Sequence, residues 1–204
     1  MWWNKRKQSA RPVDVIRTHR KSLAIEVREN GDILVRAPME IPDRGILRFV
    51  REHEDWIERK SGQARQDRMQ FEEKCRALGL AASYSEEELK DLTGKAQKLL
   101  RKKAASYAEM MGTDYHRIAI RRQRSRWGSC SSKGNLNFNC LLMLCPDRVQ
   151  DYVVVHELAH RFEMNHSQAF WKIVEDYCPD YRKSRAWLKE HGRDLIRRLP
   201  DRSR

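Results

Sequence analysis

The stretch HELAHRFEMNH, from His156 to His166, places three histidines within eleven residues. On an α-helix, residues four apart lie about 40° from each other on one face, so His156 and His160 can bind the same metal ion. Glu157 points about 100° away from His156, which leaves its carboxylate free to accept a proton from water. This spacing predicts a zinc site with a neighbouring general base.

The third ligand of such a site must come from further along the chain. Glu163 would return to the same face of a continuing helix, but it would lie about 10 Å along the axis from His156. Glu175 and Asp176 form a later acidic pair, which we expect on a solvated helix face. Glu163 is therefore the second-ranked candidate for the third ligand.

His166 can reach the ion only if the helix ends near Met164. Asn165 is among the few residues that tolerate a left-handed conformation at a helix C-terminus. Ser167 can cap a new helix immediately afterwards. Because both neighbours of His166 favour the required break, we predict His166 as the third ligand.

Three histidine ligands with an open fourth position are typical of catalytic zinc rather than calcium or magnesium. Zinc lowers the pKa of bound water to about 7 and so generates a nucleophile for a carbonyl or phosphoryl centre. In the alternative, His156 and His160 are ordinary core histidines and Glu157 is solvated. That alternative leaves buried polar groups without a compensating partner, so we favour the metal site. Because water activated by zinc is a nucleophile, we expect a hydrolase.

The elements before residue 113 are indicated by turn and capping signals. A β-hairpin is predicted over residues 22–36, with its turn at Asn30-Gly31. Asp43 should cap a helix that ends near Ser61-Gly62, and a weaker helix should cover residues 63–79. Ser85 and Glu88 form a capping box that opens a long helix, which Gly112 closes.

The remaining elements should surround the candidate site. A strand over residues 115–122, a turn at residues 133–135 and a second strand beginning near Leu136 predict a small antiparallel sheet. Pro146-Asp147 should begin the metal helix. Ser167 and Asp180 should begin two further helices, the last ending near Gly192. The expected fold class is α+β.

Composition limits the class of protein. A chain of 204 residues with 40% hydrophobic content is long enough to bury a hydrophobic core. We expect one compact body made of an N-terminal region (1–79), a metal-binding core (80–192) and a loose basic tail (193–204). The N-terminus lacks the apolar run of a signal peptide, and no apolar stretch is long enough to span a membrane. Five cysteines without a CxxC pair indicate reduced thiols. We therefore expect a cytoplasmic protein.

The net charge of +13 favours contact with acidic partners. Four arginines stand just ahead of the metal helix, at positions 121, 122, 124 and 126. Such a run is usually a solvated face, but Arg124 and Arg126 could also bind the phosphate of a nucleotide or of DNA.

Three segments resemble a known family: SRWGSCSSKGN from Ser125, DYVVVHELAH from Asp151 and NHSQAFW from Asn165. They are similar to the YgjP-like metal-dependent hydrolases, zincins related to SprT-like peptidases. The hairpin ending in RAP and the DWIERK helix also fit, so the resemblance covers most of the chain. It implies a zincin-like metallopeptidase fold with the ligands and base given above, and a sheet edge beside the cleft.

An edge strand near zinc could pair with an extended peptide through backbone hydrogen bonds. Asn137 and Asn139 could help to hold that peptide, or they could simply face water while Leu136 and Phe138 form core.

The leading functional hypothesis is a zinc-dependent peptidase acting on peptides or proteins. A second hypothesis is a zinc-dependent phosphohydrolase acting on nucleotides. A third is a nucleic-acid-binding module in which zinc is structural.

Overall fold

A computed structural model describes residues 13–200, and the chain divides into two compact units, one ending at Ala82 and one beginning at Ser83. The N-terminal segment and the last four residues of the predicted tail lie outside the described residues. The first unit contains β1 (Val13–Thr18), β2 (Ala24–Val27), β3 (Ile33–Pro38), α1 (Asp43–Glu52) and α2 (Glu54–Ala77). The second contains α3 (Glu86–Met111), β4 (Arg117–Arg121), β5 (Gly128–Cys130), β6 (Asn135–Asn139), a 3-10 helix (Cys140–Leu144), α4 (Asp147–Ala159), α5 (Gln168–Tyr177) and α6 (Tyr181–Arg197). This mixture of helices and small sheets confirms the α+β class.

The predicted hairpin is present in the first unit as the antiparallel pair β2 and β3. Gly31 has a φ of 84° and donates its N–H to the Arg28 carbonyl over 2.9 Å, whereas no described residue other than glycine has a positive φ. A further strand, β1, pairs in parallel with β3 and makes β3 the central strand. Its pairing partner lies about twenty residues away, and local periodicity cannot specify such a distant contact.

The helix boundaries predicted in the first unit are wrong. α1 ends at Glu52, and α2 then continues without a break through Ser61 and Gly62. Its buried face extends on both sides of Gly62 and includes Ile57 and Phe71, and this packing outweighs the cost of a helical glycine, about 1 kcal/mol. The cap at the start of α1 also differs from the prediction, because Pro42 occupies the N-cap position without a side-chain hydrogen bond.

The long helix α3 has the predicted ends. The Ser85 hydroxyl accepts from the Glu88 N–H over 3.1 Å, and the Glu88 carboxylate accepts from the Ser85 N–H over 2.6 Å. Gly112 closes the helix with a φ of 65°. The face toward the core of the second unit carries Leu89, Leu92, Ala96, Leu100, Ala104, Ala108 and Met111.

The sheet of the second unit is mixed, so the prediction of a purely antiparallel sheet is wrong. β6 is central, pairs in parallel with β4 and pairs antiparallel with β5. The short strand β5 was not predicted; it reverses the chain between β4 and β6, which therefore run in the same direction. Leu136 and Phe138 on β6 are fully buried and form part of the core, which agrees with one of the two alternatives for this strand.

The last helix, α6, extends beyond the predicted end at Gly192. It continues to Arg197 because Leu195 and Ile196 pack against the core of the second unit, and Leu199 after it is buried. Residues 193–197 are therefore helical and not a loose tail.

All five cysteines are free, and Cys75, Cys140 and Cys145 are buried. None of the helices within residues 13–200 has the length and apolar character required to cross a membrane.

Candidate metal centre

α4 carries two of the three histidines and Glu157. The helix begins after Pro146, and Val149, Val153 and Val154 bury its apolar surface in the core of the second unit. His160 occupies the C-cap position, directly after Ala159. Burial along most of its length fixes the orientation of α4 and therefore the directions of the side chains at its C-terminal end.

The chain leaves α4 earlier than predicted and then reverses. The predicted left-handed conformation of Asn165 is wrong, because every non-glycine residue described has a negative φ. Instead, the Asn165 side chain accepts a hydrogen bond from the Ser167 N–H over 3.0 Å. The Ser167 hydroxyl in turn accepts from the Phe170 N–H over 3.2 Å and caps α5. Backbone hydrogen bonds from Arg161 and Phe162 turn the chain after α4, and the two side-chain hydrogen bonds support the turn around His166.

The structure brings His156, His160 and His166 together. One ring nitrogen from each lies within 4.8 Å of the other two. The Nε2 atoms of His156 and His166 are 3.1 Å apart. Two nitrogens bound tetrahedrally at zinc, each about 2.0–2.1 Å from the ion, would be about 3.3 Å apart. The spacing of the His156 and His166 nitrogens therefore fits a zinc ion.

A hydrogen bond defines which nitrogen of His160 is available to a metal. His160 Nδ1 lies 3.0 Å from the backbone carbonyl oxygen of Glu163. Because a carbonyl oxygen can only accept, Nδ1 carries the proton in the neutral ring and Nε2 then offers the lone pair. Glu163, the second-ranked candidate ligand, thus contacts the site through its backbone and not through its carboxylate. Its carboxylate is not part of the histidine cluster.

The three imidazoles pack against a buried aromatic ring. The ring centroid of Phe170 lies 4.9 Å from that of His156, 4.6 Å from that of His160 and 4.8 Å from that of His166. Burial, together with the neighbouring imidazoles and Arg185, lowers the pKa of His156 to about 3. Burial likewise lowers the pKa of His166. Both rings are therefore neutral near pH 7, which is the state that binds a metal.

Glu157 directly follows His156 on α4 and lies in a nearly closed environment, with 5% of its surface exposed. Burial raises the pKa of its carboxyl to about 8, and the charge of Arg126 partly opposes that shift. A carboxylate with a pKa near neutrality is suited to exchange protons with water. Gly128 on β5 packs directly against this side chain.

The residues predicted to bind substrate occupy different environments. Asn139 is fully buried and donates its amide to the backbone carbonyls of Gln123 and Arg126. Asn137 donates to the Ser129 hydroxyl across the β5–β6 pair, over 3.1 Å. Both asparagines lie on the central strand β6 and not on a sheet edge. Their observed contacts are with the protein itself.

The arginine run does not form one cluster in the described part of the chain. Arg122 pairs with Glu86 over 2.7 Å, and Arg124 donates to the Leu199 carbonyl. Arg126 is exposed and acts electrostatically on Glu157. Of the two arginines predicted to bind substrate, Arg126 is therefore close enough to the candidate site to influence the pKa of Glu157.

Glu175 and Asp176 are exposed, as expected, and they pair with Arg182 and Lys172. Sequence reasoning missed Phe170 and Gly128. The position of Phe170, four residues after His166, is a signal for a shared helix face, although His166 lies before the helix begins. Gly128 carries no comparable signal, because its proximity to Glu157 depends on the packing of β5 against α4.

Comparison with known proteins gives one family match. Residues 21–88 and 79–191 match the family model described as YgjP-like, metallopeptidase domain. No curated protein matches the sequence. Among solved structures, the chain is similar to the crystal structure of the metallopeptidase zymogen of Pyrococcus abyssi abylysin, with 20% identity and a TM-score of 0.38. That similarity covers 44% of this chain and 93% of the other. The family match spans residues 21–191 and includes the histidine cluster.

Proposed function

The chain belongs to the YgjP-like metallopeptidase family, and on that premise we propose that it is a zinc-dependent hydrolase of peptide bonds. The observation that carries the proposal is the convergence of three imidazole nitrogens within 4.8 Å of one another. In this proposal His156, His160 and His166 hold the ion. Zinc bound there would supply Lewis acidity and lower the pKa of water to about 7.

Glu157 is the general base in this proposal. Its carboxylate follows His156 directly in the chain, and it lies among buried groups where its affinity for a proton is raised. It takes a proton from water as water attacks the carbonyl carbon, and it delivers a proton to the leaving amine. Arg126 partly opposes the rise in the pKa of Glu157 and so favours the ionised form of the base.

The backbone of β5 supports an extended peptide as the substrate. β5 is an edge strand, and the backbone of Trp127 and of Ser131 hydrogen bonds to β6 over 2.8 Å and 3.0 Å. Backbone groups alternate along an antiparallel strand, so Gly128 and Cys130 direct theirs away from β6. An extended peptide could pair with these groups next to Glu157. In this proposal the backbone of β5 replaces Asn137 and Asn139 as the substrate-binding feature.

The proposed function is tested with zinc-loaded protein and a Glu157→Gln variant. The wild type should bind about one zinc per chain and cleave a denatured, fluorescently labelled protein. Glu157→Gln should keep its zinc and lose activity by about 10²- to 10⁴-fold, because the amide cannot act as a base. Glu175→Gln is a matched control, since Glu175 lies on an exposed face and pairs with Arg182.

Full activity of Glu157→Gln would remove the proposed role of Glu157. A zinc-loaded wild type that cleaves no protein substrate would defeat the peptidase proposal itself. Nucleoside triphosphates assayed in parallel should release no phosphate.

A further inference from the structure

We infer that Gly128 is a positioning residue for Glu157: β5 carries no side chain at this position, and the free space holds the carboxylate of the base. The inference rests on the proposed function for its catalytic consequence. A Cβ atom on Gly128 would lie 2.5 Å from Oε1, 2.7 Å from Cγ and 2.8 Å from Cδ of Glu157. Non-bonded carbon atoms pack at about 3.5–4.0 Å, so any side chain at position 128 must displace Glu157 or the strand.

Space, and not backbone conformation, requires glycine at this position. Gly128 is absent from the glycines with positive φ, which are Gly31, Gly79, Gly112 and Gly134. Alanine could therefore adopt the backbone conformation of Gly128 without strain. The three atoms nearest to an added methyl group all belong to Glu157, so this one side chain is the main obstacle to a larger residue.

The strand is held in place from the side of β6. Asn139, which is fully buried, donates its side-chain amide to the Gln123 carbonyl over 2.6 Å and to the Arg126 carbonyl over 3.2 Å. Its backbone N–H also donates to the Trp127 carbonyl over 2.8 Å. Three hydrogen bonds from one buried residue thus hold the segment that leads into Gly128.

A second contact holds the same segment against α6. The Trp127 ring packs on Gly192, where a Cβ atom would lie 2.9 Å from Cζ2 of the indole. Glu157 is similarly restricted, because it projects from a helix whose neighbouring residues Val155 and Leu158 are fully buried. Because the backbones of β5 and α4 are both held in place, an added methyl group at position 128 must move the Glu157 carboxylate, which is the flexible part of the contact.

The test is a double-mutant cycle of Gly128→Ala and Glu157→Ala, with Gly94→Ala as the control. Gly94 lies in α3 and has no atom within 4 Å of its Cβ position. Zinc content, kcat, KM and the denaturant midpoint of unfolding are measured for each variant. Gly128→Ala should lower kcat by about tenfold to a hundredfold with KM and zinc content unchanged, because a misplacement of about 1 Å can cost 10²-fold. Gly94→Ala should keep the wild-type kcat.

The cycle distinguishes positioning from general packing. Glu157→Ala removes all three close contacts, so adding Gly128→Ala to it should lower neither the residual rate nor the unfolding midpoint further. If Gly128→Ala alone fails to fold, the double variant should fold. Any of three results would overturn the inference. The first is that Gly128→Ala lowers the rate and the unfolding midpoint equally with and without the Glu157 side chain. The others are an unchanged kcat in Gly128→Ala and a double variant that also fails to fold. Because the unfolding midpoints require no substrate, a wild type without peptidase activity would defeat the proposed function and still leave this contact measured.

Discussion

Acid should destabilise the metal-free protein through His156. Burial, followed by the charges of His160, His166 and Arg185, lowers the pKa of His156 from 6.5 to about 3. The unfolded chain therefore takes up a proton at this imidazole below pH 6.5, whereas the folded protein does not until about pH 3. The contribution of the neutral, buried His156 to the free energy of unfolding is therefore fully present above pH 6.5 and is lost as the pH falls toward 3.

The size of the effect follows from the pKa difference. Each pH unit between the two pKa values costs about 1.36 kcal/mol of stability. At pH 5, which is 1.5 units below the unfolded value, the loss due to His156 is about 2 kcal/mol. The direction of the shift at His166 is the same, so its contribution adds to this loss.

Denaturant unfolding of the chelator-treated protein between pH 7.5 and pH 5 measures this loss. The free energy of unfolding of a His156→Asn variant should decline less steeply with acidity than that of the wild type, because one imidazole no longer titrates. A control, His191→Asn, removes an imidazole from an exposed position on α6, outside the histidine cluster. If wild type and His156→Asn lose stability in parallel from pH 7.5 to pH 5, the reasoning about the buried imidazole is refuted.

Two further substitutions test how the site is supported. Phe170→Ala should destabilise the protein by about 3–5 kcal/mol and weaken zinc binding, because this fully buried ring contacts all three imidazoles. Denaturant unfolding measures the loss of stability, and a zinc titration measures the loss of affinity. An unchanged zinc affinity would contradict the supporting role of Phe170. Lys103→Met should cost about 1–3 kcal/mol in denaturant unfolding, because Lys103 bridges Asp147 and Asp151 of α4 at 2.8 Å and 2.6 Å. Lys95→Met is the control, because Lys95 forms an exposed ion pair with Asp91 and its removal should lower the free energy of unfolding by at most about 1 kcal/mol. Equal losses of stability in the two variants would show that the bridge from Lys103 to α4 contributes no more than an exposed ion pair.

Local rules recovered the parts of the fold that local interactions determine. The capping box at Ser85, the left-handed glycine at position 112 and the hairpin turn at Gly31 all depend on neighbouring residues in the chain. The same rules failed at Gly62, where burial of α2 on both sides outweighs the local cost of glycine. They also failed at Asn165, where a side-chain hydrogen bond to Ser167 replaced the left-handed turn.

The roles of the asparagines changed for a non-local reason. Alternation along residues 135–139 offered Leu136 and Phe138 as core positions in one alternative, but it could not reveal what the opposite face of β6 contacts. Asn139 contacts the loop before β5, whose position depends on pairing across the sheet. The Asn139 amide, which was predicted to bind a substrate peptide, therefore donates its hydrogen bonds to the backbone of the protein itself.

The sequence alone predicted the candidate donor set, because helix geometry places His156 and His160 on one face and the capping preference of Ser167 favours a new helix just after His166. Tertiary structure decided the surroundings of that set: the Phe170 ring against the imidazoles, the Glu163 carbonyl on His160 and the space at Gly128 for Glu157. These contacts join atoms from separate elements, and their energies depend on packing and burial that exist only after the chain has folded.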